Sequence, residues 1–388
     1  MQTPIISKQK DDVILDFCNP DIFEIPNYFL QAKVLRCKDC RELKEIPVLE
    51  KLKYLSIFNC SKITIIPNLK NLISLNISNV EHEIKFEENR NLKNVEFCKF
   101  DFIKEIKNFE HLENLEINNC KNLKILSNLP KLKTLEIYDC SELVSLETIN
   151  PSVSFYVANC KKLEKIHPNL KSKKVRIFYC ENLKSLNLNR TELLEIDKYV
   201  EEVNLKDLVS LSTLIIPTNK NIKEFPESLV NLTELDCSNS NIKFIPESFV
   251  KLNTLKINIT KIKAIPNFRN LKYLECNSSE IDRIENFQNL KTIHCMYSNV
   301  SRIFNIPNLE FLNCHSCKNL ISIPNNNYKT IIKNDCYWLN VKKETLLYLF
   351  KKIRNRKMRM IYNRIYENYE STNILDRNIF RITNDFYC

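Results

Sequence analysis

The chain has 388 residues, a formal net charge of +11 and no glycine. Average usage of roughly 7% would supply about 27 glycines. Phosphate-binding loops, dinucleotide-binding turns, the nucleophile elbow of hydrolases and EF-hand calcium loops all require glycine, so the composition excludes these sites. Hydrophobic residues make up 44% of the chain, which is enough to build a folded core.

The N-terminal segment predicts an intracellular protein. Its first residues, MQTPIISKQKDD, contain no apolar stretch of the kind that a signal peptide has. No part of the chain approaches the ~18 consecutive apolar residues of a membrane span. We therefore expect a cytoplasmic protein whose sixteen cysteines are mostly free thiols. The abundance of Lys, Asn and Ile fits an AT-rich genome, for example that of a large DNA virus.

Residues 1–31 come before the first complete unit of an internal repeat. Ile22, Ile25 and Pro26 match the end of a degenerate unit. Because terminal repeats are commonly atypical, this segment is predicted to be an N-terminal cap.

The repeat itself has about 20 residues. Three stretches show its frame, L-x-x-L-x-L-x-x-C-x-x-L-x-x-I/L: LKYLSIFNCSKITIIPNLKN from Leu52, LENLEINNCKNLKILSNLPK from Leu112 and LKTLEIYDCSELVSLETINP from Leu132. Counted by the Cys position, which we call the cap, sixteen units run from Cys40 to Cys336. The L-x-L segment has the period of a β-strand. One short strand cannot bury itself, so successive units must stack.

This frame resembles the leucine-rich repeat family, whose motif is L-x-x-L-x-L-x-x-N/C-x-L, over residues 32–339. The resemblance implies an α/β-type solenoid with a parallel β-sheet on its concave face. Units of this length leave no room for a full convex helix. Proline after the last apolar position, as at Pro47 and Pro226, favours extended or short 3₁₀ segments there.

Two irregularities interrupt the repeat. Residues 80–91 lack the usual apolar spacing, and residues 187–206 lack a clear cap residue. After the second break, Ser or Thr replaces Cys at most caps. We expect one continuous solenoid made of two repeat types, with a hinge near 187–206 as the alternative.

Two Cys-x-x-Cys pairs have the spacing of half a zinc site. They are Cys37 with Cys40 and Cys314 with Cys317. The repeat produces this spacing by itself, because the first Cys of each pair points inward from a strand and the second is a cap. We therefore expect no metal and no cofactor.

Histidines offer a second weak candidate. His294 and His315 fall at outward strand positions of adjacent coils, and Ser316 lies beside them. A solvated polar surface is favoured over a catalytic dyad, and no other catalytic set stands out. We therefore expect a protein without enzymatic activity.

The outward strand positions carry the strongest candidate for a binding site. Glu96, Glu116 and Glu136 recur at the same position of successive coils, which places like charges about 5 Å apart. A basic protein partner would relieve their repulsion, and exposed aromatic side chains nearby are typical of binding hot spots. A variable surface with chance clustering is the alternative. The remaining predicted residues of this patch are Tyr138, Tyr156, Lys174, Arg176, Phe178 and Tyr179.

Residues 340–388 form a basic tail. Apolar residues at helical spacing predict an amphipathic helix over about 343–370. The favoured role of this C-terminal helix is to cover the open end of the last coil with its apolar face. Its basic side chains are Lys351, Lys352, Arg354, Arg356, Lys357, Arg359 and Arg364.

Together these features predict a monomeric, non-enzymatic protein-interaction module that binds a protein partner on the concave face. One alternative is an adaptor or substrate-receptor subunit, for example of a ubiquitin ligase, that docks through the C-terminal helix. The other is binding of nucleic acid or an anionic membrane through the basic tail.

Overall fold

The computed structural model describes residues 5–9, 12–26, 29, 31–87, 89–150, 152–168, 170–336 and 339. Within these ranges the secondary structure consists of strands and turns, without an α-helix. The chain divides into two compact units, Met1–Leu211 and Ser212–Cys388. The expected helix at 343–370 and the basic tail lie outside the described residues, so both stay predictions.

In the first unit, strands form at the L-x-L segments and, in shorter form, between them. In chain order they are β1 (Ile5–Gln9), β2 (Asp12–Phe17), β3 (Val34–Lys38), β4 (Tyr54–Phe58), β5 (Ile65–Ile66), β6 (Ser74–Ser78), β7 (Lys85–Phe86), β8 (Asn94–Cys98), β9 (Glu105–Lys107), β10 (Asn114–Asn118), β11 (Ile125–Ser127), β12 (Thr134–Tyr138), β13 (Ser145–Leu146), β14 (Ser154–Ala158), β15 (Lys165–Ile166), β16 (Lys174–Phe178), β17 (Ser185–Leu186), β18 (Leu193–Ile196) and β19 (Glu202–Val203).

The longer strands build one sheet. From β2 through β3, β4, β6, β8, β10, β12, β14 and β16 to β18, each strand pairs in parallel with the next, and β1 pairs antiparallel with β2. The two- and three-residue strands pair separately, β5 with β7, β9 with β11, β13 with β15 and β17 with β19. The segments between the main strands are therefore extended, as the short repeat predicts.

The second unit repeats this plan with shorter strands. They are β20 (Thr213–Ile215), β21 (Glu234–Asp236), β22 (Thr254–Lys256), β23 (Tyr273–Glu275), β24 (Arg283–Glu285), β25 (Thr292–His294), β26 (Arg302–Phe304), β27 (Phe311–Asn313) and β28 (Thr330–Ile332). Seven of these strands pair in parallel in one sheet, and the other two, β24 and β26, pair in parallel with each other. The strands shorten where the repeat type changes.

The core consists of stacked columns of equivalent apolar side chains. On β10, Leu115 and Ile117 are buried while Glu116 between them is exposed. Burying one such aliphatic side chain contributes roughly 1.5–3 kcal/mol. Since every coil adds its own set, stability comes from contacts between neighbouring coils.

The cap position is buried and bonds to the backbone, as expected. The thiol of Cys60 donates to the carbonyl of Phe58 at 3.4 Å. In the second unit the hydroxyl of Thr260 donates to the carbonyl of Ile257 at 2.8 Å. The two repeat types thus differ in which carbonyl the cap side chain reaches, two or three residues back.

In fifteen coils the residue before the cap has a left-handed backbone conformation with positive φ. The sequence analysis did not predict this. Asn and Asp fill eight of these positions, for example Asn59 and Asn239, and both tolerate this region better than other non-glycine residues. The side chains also join coils, since Asn59 Nδ2 donates to Asp39 Oδ1 at 2.5 Å. Ile259, at φ 54°, is the least favourable occupant because it is β-branched.

Candidate functional site

The outward side chains of the main strands in the first unit form one surface, which we call the sheet face. It consists of the first, third and fifth residues of the five-residue strands from β3 to β16. Seven of the nine predicted patch residues lie on β10, β12, β14 and β16. Of the other two, Glu96 lies on β8 and Tyr179 follows β16. The sheet face therefore holds eight of the nine.

Three glutamates form a column on this face. In the strand register Glu116 pairs directly with Glu96 on one side and Glu136 on the other. Neighbouring strands lie about 4.8 Å apart. A depression of about 290 Å³ lies over this column, and all three glutamates line it.

The outer two carboxylates accept hydrogen bonds and the central one does not. Asn76 Nδ2 donates to Glu96 Oε2 at 2.6 Å, and the Tyr138 hydroxyl donates to Glu136 Oε2 at 2.8 Å. No donor among the described residues reaches Glu116. Burial, followed by the charges of Glu96 and Glu136, raises the pKa of the Glu116 carboxyl.

A ladder of amide and hydroxyl groups runs beside the column. Asn114 Nδ2 donates to Asn94 Oδ1 at 2.7 Å, and Thr134 Oγ1 donates to Asn114 Oδ1 at 2.5 Å. Sequence reasoning missed this ladder, although the recurrence of polar residues one position before the first strand Leu was a usable signal. These groups keep one wall of the depression polar but uncharged.

An aromatic series continues the face beyond the acidic column. The ring centroids of Tyr138 and Tyr156 lie 5.0 Å apart, and those of Tyr156 and Phe178 lie 5.8 Å apart, both edge to face. Tyr156 pairs directly with Glu136 in the register. Burial, with the hydrogen bond to Glu136, raises the pKa of the Tyr138 hydroxyl.

The basic end of the patch is partly neutralised within the chain. Arg176 Nε lies 3.0 Å from Glu195 Oε1 on β18, a partner that sequence reasoning did not identify. Lys174 is exposed at the start of β16. Tyr179 occupies the left-handed turn after β16 and is 61% exposed, outside the aromatic series.

The second unit has a separate ring cluster. The imidazole of His294 lies between Tyr273 and Phe311, with ring centroids 5.6 and 4.8 Å away. Burial lowers the pKa of His294, while the charge of Glu275 acts in the opposite direction. His315 contacts a different ring, that of Tyr297, at 5.2 Å.

The prediction that His294 and His315 occupy outward strand positions of adjacent coils is wrong for His315, because His294 pairs with Asn313 and His315 follows β27. His315 and Ser316 belong to a loose polar cluster. Ser316 Oγ lies 3.4 Å from His315 Nε2 and 3.4 Å from Asp335 Oδ2. The Tyr297 hydroxyl also lies 3.1 Å from His315 Nε2. The imidazole nitrogen is therefore shared by two hydroxyl groups.

Twelve of the fifteen cysteines in the described part of the chain are buried. The fifteen in the described part of the chain are free thiols, and Cys37 and Cys40 are both buried. Among the described residues no three His, Cys, Asp or Glu side chains form a group that could hold a metal ion. Nor do these residues include a helix with the length and apolarity needed to cross a bilayer.

Comparison with known proteins finds only distant likenesses to solved structures. No family model and no curated protein sequence matches the chain. Among solved structures, a leucine-rich repeat protein of Leptospira interrogans is 16% identical, with a TM-score of 0.35, over 72% of this chain and 88% of its own. YopM from Yersinia enterocolitica is 15% identical, with a TM-score of 0.37, over 84% and 90%. An internalin from Listeria monocytogenes is 17% identical, with a TM-score of 0.29, over 75% and 80%.

The sequence frame and the geometry of the coils agree independently of these likenesses. Most coils of about 20 residues contribute one parallel strand, inward apolar side chains and one buried cap. Each of the two units therefore has the fold of a leucine-rich-repeat solenoid.

Proposed function

We propose that the protein is a non-enzymatic binding module whose sheet face, in the first unit, holds a basic segment of a protein partner. The observation that supports this most directly is the position of Glu116. It lies between two further carboxylates, and no lysine or arginine of the described residues comes within ion-pair distance of any of the three.

An internal countercharge would be easy to supply in this fold. Glu113, three residues earlier on the same coil, lies 3.4 Å from Lys93 Nζ and 2.5 Å from Lys133 Nζ. The column at Glu116 lacks such neighbours and faces a depression large enough for one or two side chains. A lysine or arginine from a partner supplies the missing charge.

The aromatic series gives the partner a second contact. Tyr156 lies beside Glu136 and is half-buried between Tyr138 and Phe178. A cation that lies next to a carboxylate and over an aromatic ring is stabilised by an ion pair and by a cation–π interaction. Aromatic residues at the centre of an interface also supply much of its binding energy.

The test uses fluorescence anisotropy with a labelled peptide of alternating Lys and Ser, and a Glu–Ser peptide as the probe of opposite charge. The full chain is expected to bind the basic peptide, more weakly as salt rises because the attraction is screened. The triple variant E96Q/E116Q/E136Q should bind at least tenfold more weakly.

A matched control removes the same charge elsewhere. E45Q/E147Q/E164Q alters three exposed glutamates that lie outside the sheet face, so its affinity should equal that of the wild type. Equal losses in both triple variants would show that net charge alone attracts the peptide and would refute the proposed site.

A further inference from the structure

A cleft of about 750 Å³ opens in the first unit, within residues 83–110. It lies where the repeat is irregular and apart from the glutamate column, since none of Glu96, Glu116 and Glu136 lines it. We propose that this cleft binds a small, uncharged aromatic molecule.

The cleft exists because a polar residue interrupts an apolar column. Leu49, Leu69 and Leu129 are buried at equivalent positions of their coils, but Asn89 occupies this position in the irregular coil. Its side chain turns to the backbone, accepting from the Leu69 N–H at 2.8 Å and donating to the Pro67 carbonyl at 3.1 Å. Phe109, next in the column, therefore lacks an apolar neighbour on that side and is only half-buried.

Five phenylalanines contribute to the lining of the cleft. Phe97 lies 5.9 Å from Phe86 and 5.7 Å from Phe100, centroid to centroid. Phe102 and Phe109 complete the aromatic lining, and Phe102 is 48% exposed. Aromatic rings prefer tilted and edge-to-face neighbours, so another ring entering the cleft extends a packing that is already present.

The charged groups around the cleft do not select a charged ligand. Four acidic and three basic side chains line it, so neither sign dominates. Lys107 Nζ lies 2.6 Å from Glu105 Oε2, and the Glu87 carboxylate accepts from the Asn68 N–H at 2.8 Å. The volume lies within the roughly 300–1,000 Å³ of small-molecule sites. An uncharged ligand with one or two rings fits these conditions.

The experiment titrates the full chain with N-phenyl-1-naphthylamine, an uncharged two-ring fluorophore whose emission rises in an apolar site. Saturable binding at one site per chain is expected. F102R places a charge in the cleft and should weaken binding at least tenfold. Its control is F244R, because Phe244 is 79% exposed and belongs to the second unit. Both positions are exposed, so neither change removes a core side chain.

A second variant restores the apolar column instead of adding a charge. N89L continues the leucine column and should also weaken binding at least tenfold, while E96Q/E116Q/E136Q should leave it unchanged. Equal affinities of F102R and F244R, or emission that does not saturate, would overturn the proposal.

The location is checked by photo-crosslinking the wild-type chain with benzophenone, also uncharged, and identifying the labelled peptides by mass spectrometry. Labels within residues 83–110 are expected. Labels confined to other parts of the chain would mean that the dye binds elsewhere and that the cleft is not its site.

Discussion

Glu116 and Glu136 lie directly opposite each other on the parallel strands β10 and β12, so their carboxylates are neighbours on an exposed surface. Glu113, on the same coil as Glu116, instead lies between Lys93 and Lys133. The fold thus neutralises one glutamate and leaves the other beside like charges. Glu113 is therefore paired within the chain, whereas Glu116 has no ion-pair partner among the described residues.

We expect E116Q to raise the free energy of unfolding at pH 7. The folded state raises the pKa of Glu116, first through partial desolvation and then through the charges of Glu96 and Glu136, so its ionisation opposes folding. The gain should be about 0.2–1 kcal/mol, towards the lower end because the side chain is exposed and salt screens it. It should disappear as the pH falls through the folded pKa towards about 4.3, the unfolded value. Urea denaturation at pH 7 and pH 4 measures both.

E113Q is the matched control and should have the opposite sign. Hydrogen bonds from Lys133 and then Lys93 lower the pKa of Glu113, so its carboxylate favours folding above the unfolded pKa and loses this effect as the pH falls. The substitution should therefore lower stability at neutral pH. The same sign for both variants would contradict the assignment of their surroundings.

A second prediction concerns Ile259, whose left-handed backbone disfavours a β-branched side chain. I259N should stabilise the protein by about 1 kcal/mol, because Asn adopts this conformation at lower cost and Ile259 is 59% exposed. The reverse change at the equivalent position, N239I, should destabilise by about 1–2 kcal/mol. Thermal and urea unfolding of the two variants measure this, and a loss of stability in I259N would refute it.

The sequence was sufficient to predict the structure of a single coil, because the residues that determine it lie within one repeat. The L-x-L segment sets which side chains of β10 point inward, and the cap at Cys120 follows three residues later. The glutamate column was predictable for the same reason, since Glu96 and Glu116 have the same position in adjacent units. Neither inference required knowledge of a distant contact.

Other features could not be predicted, because they depend on contacts between neighbouring coils or on residue types that the sequence lacks. Arg176 pairs with Glu195, which lies in the irregular segment 187–206. The repeat spacing does not predict which residues are neighbours there. The left-handed turns were missed because glycine, their usual signal, is absent from the chain. The cleft within residues 83–110 lies where Asn89 interrupts the leucine column, which no motif records.

A third prediction tests the aromatic series with a double-mutant cycle. Tyr138 and Tyr156 pack edge to face with centroids 5.0 Å apart, so Y138A and Y156A should show a coupling energy of about 0.5–1.5 kcal/mol. Y54A and Y138A should instead be additive, because Tyr54 lies on β4, four strands away in the sheet. Urea unfolding of the single and double variants gives both values. Additive effects for the first pair would show that the rings do not interact.

The last prediction concerns pH and the second unit. Burial between Tyr273 and Phe311 lowers the folded pKa of His294, so the folded state favours the neutral imidazole. Stability from this group is present above about 6.5, the unfolded pKa, and is lost as the pH falls below it towards the folded pKa.

H294Q should therefore reduce the loss of stability between pH 7.5 and pH 5.5. E275Q should increase it, because the charge of Glu275 favours the protonated ring. NMR titration of His294 gives the folded pKa directly, and urea unfolding at each pH gives the stability. A folded pKa above 6.5 would reverse the expected sign and show that Glu275, not burial, governs this histidine.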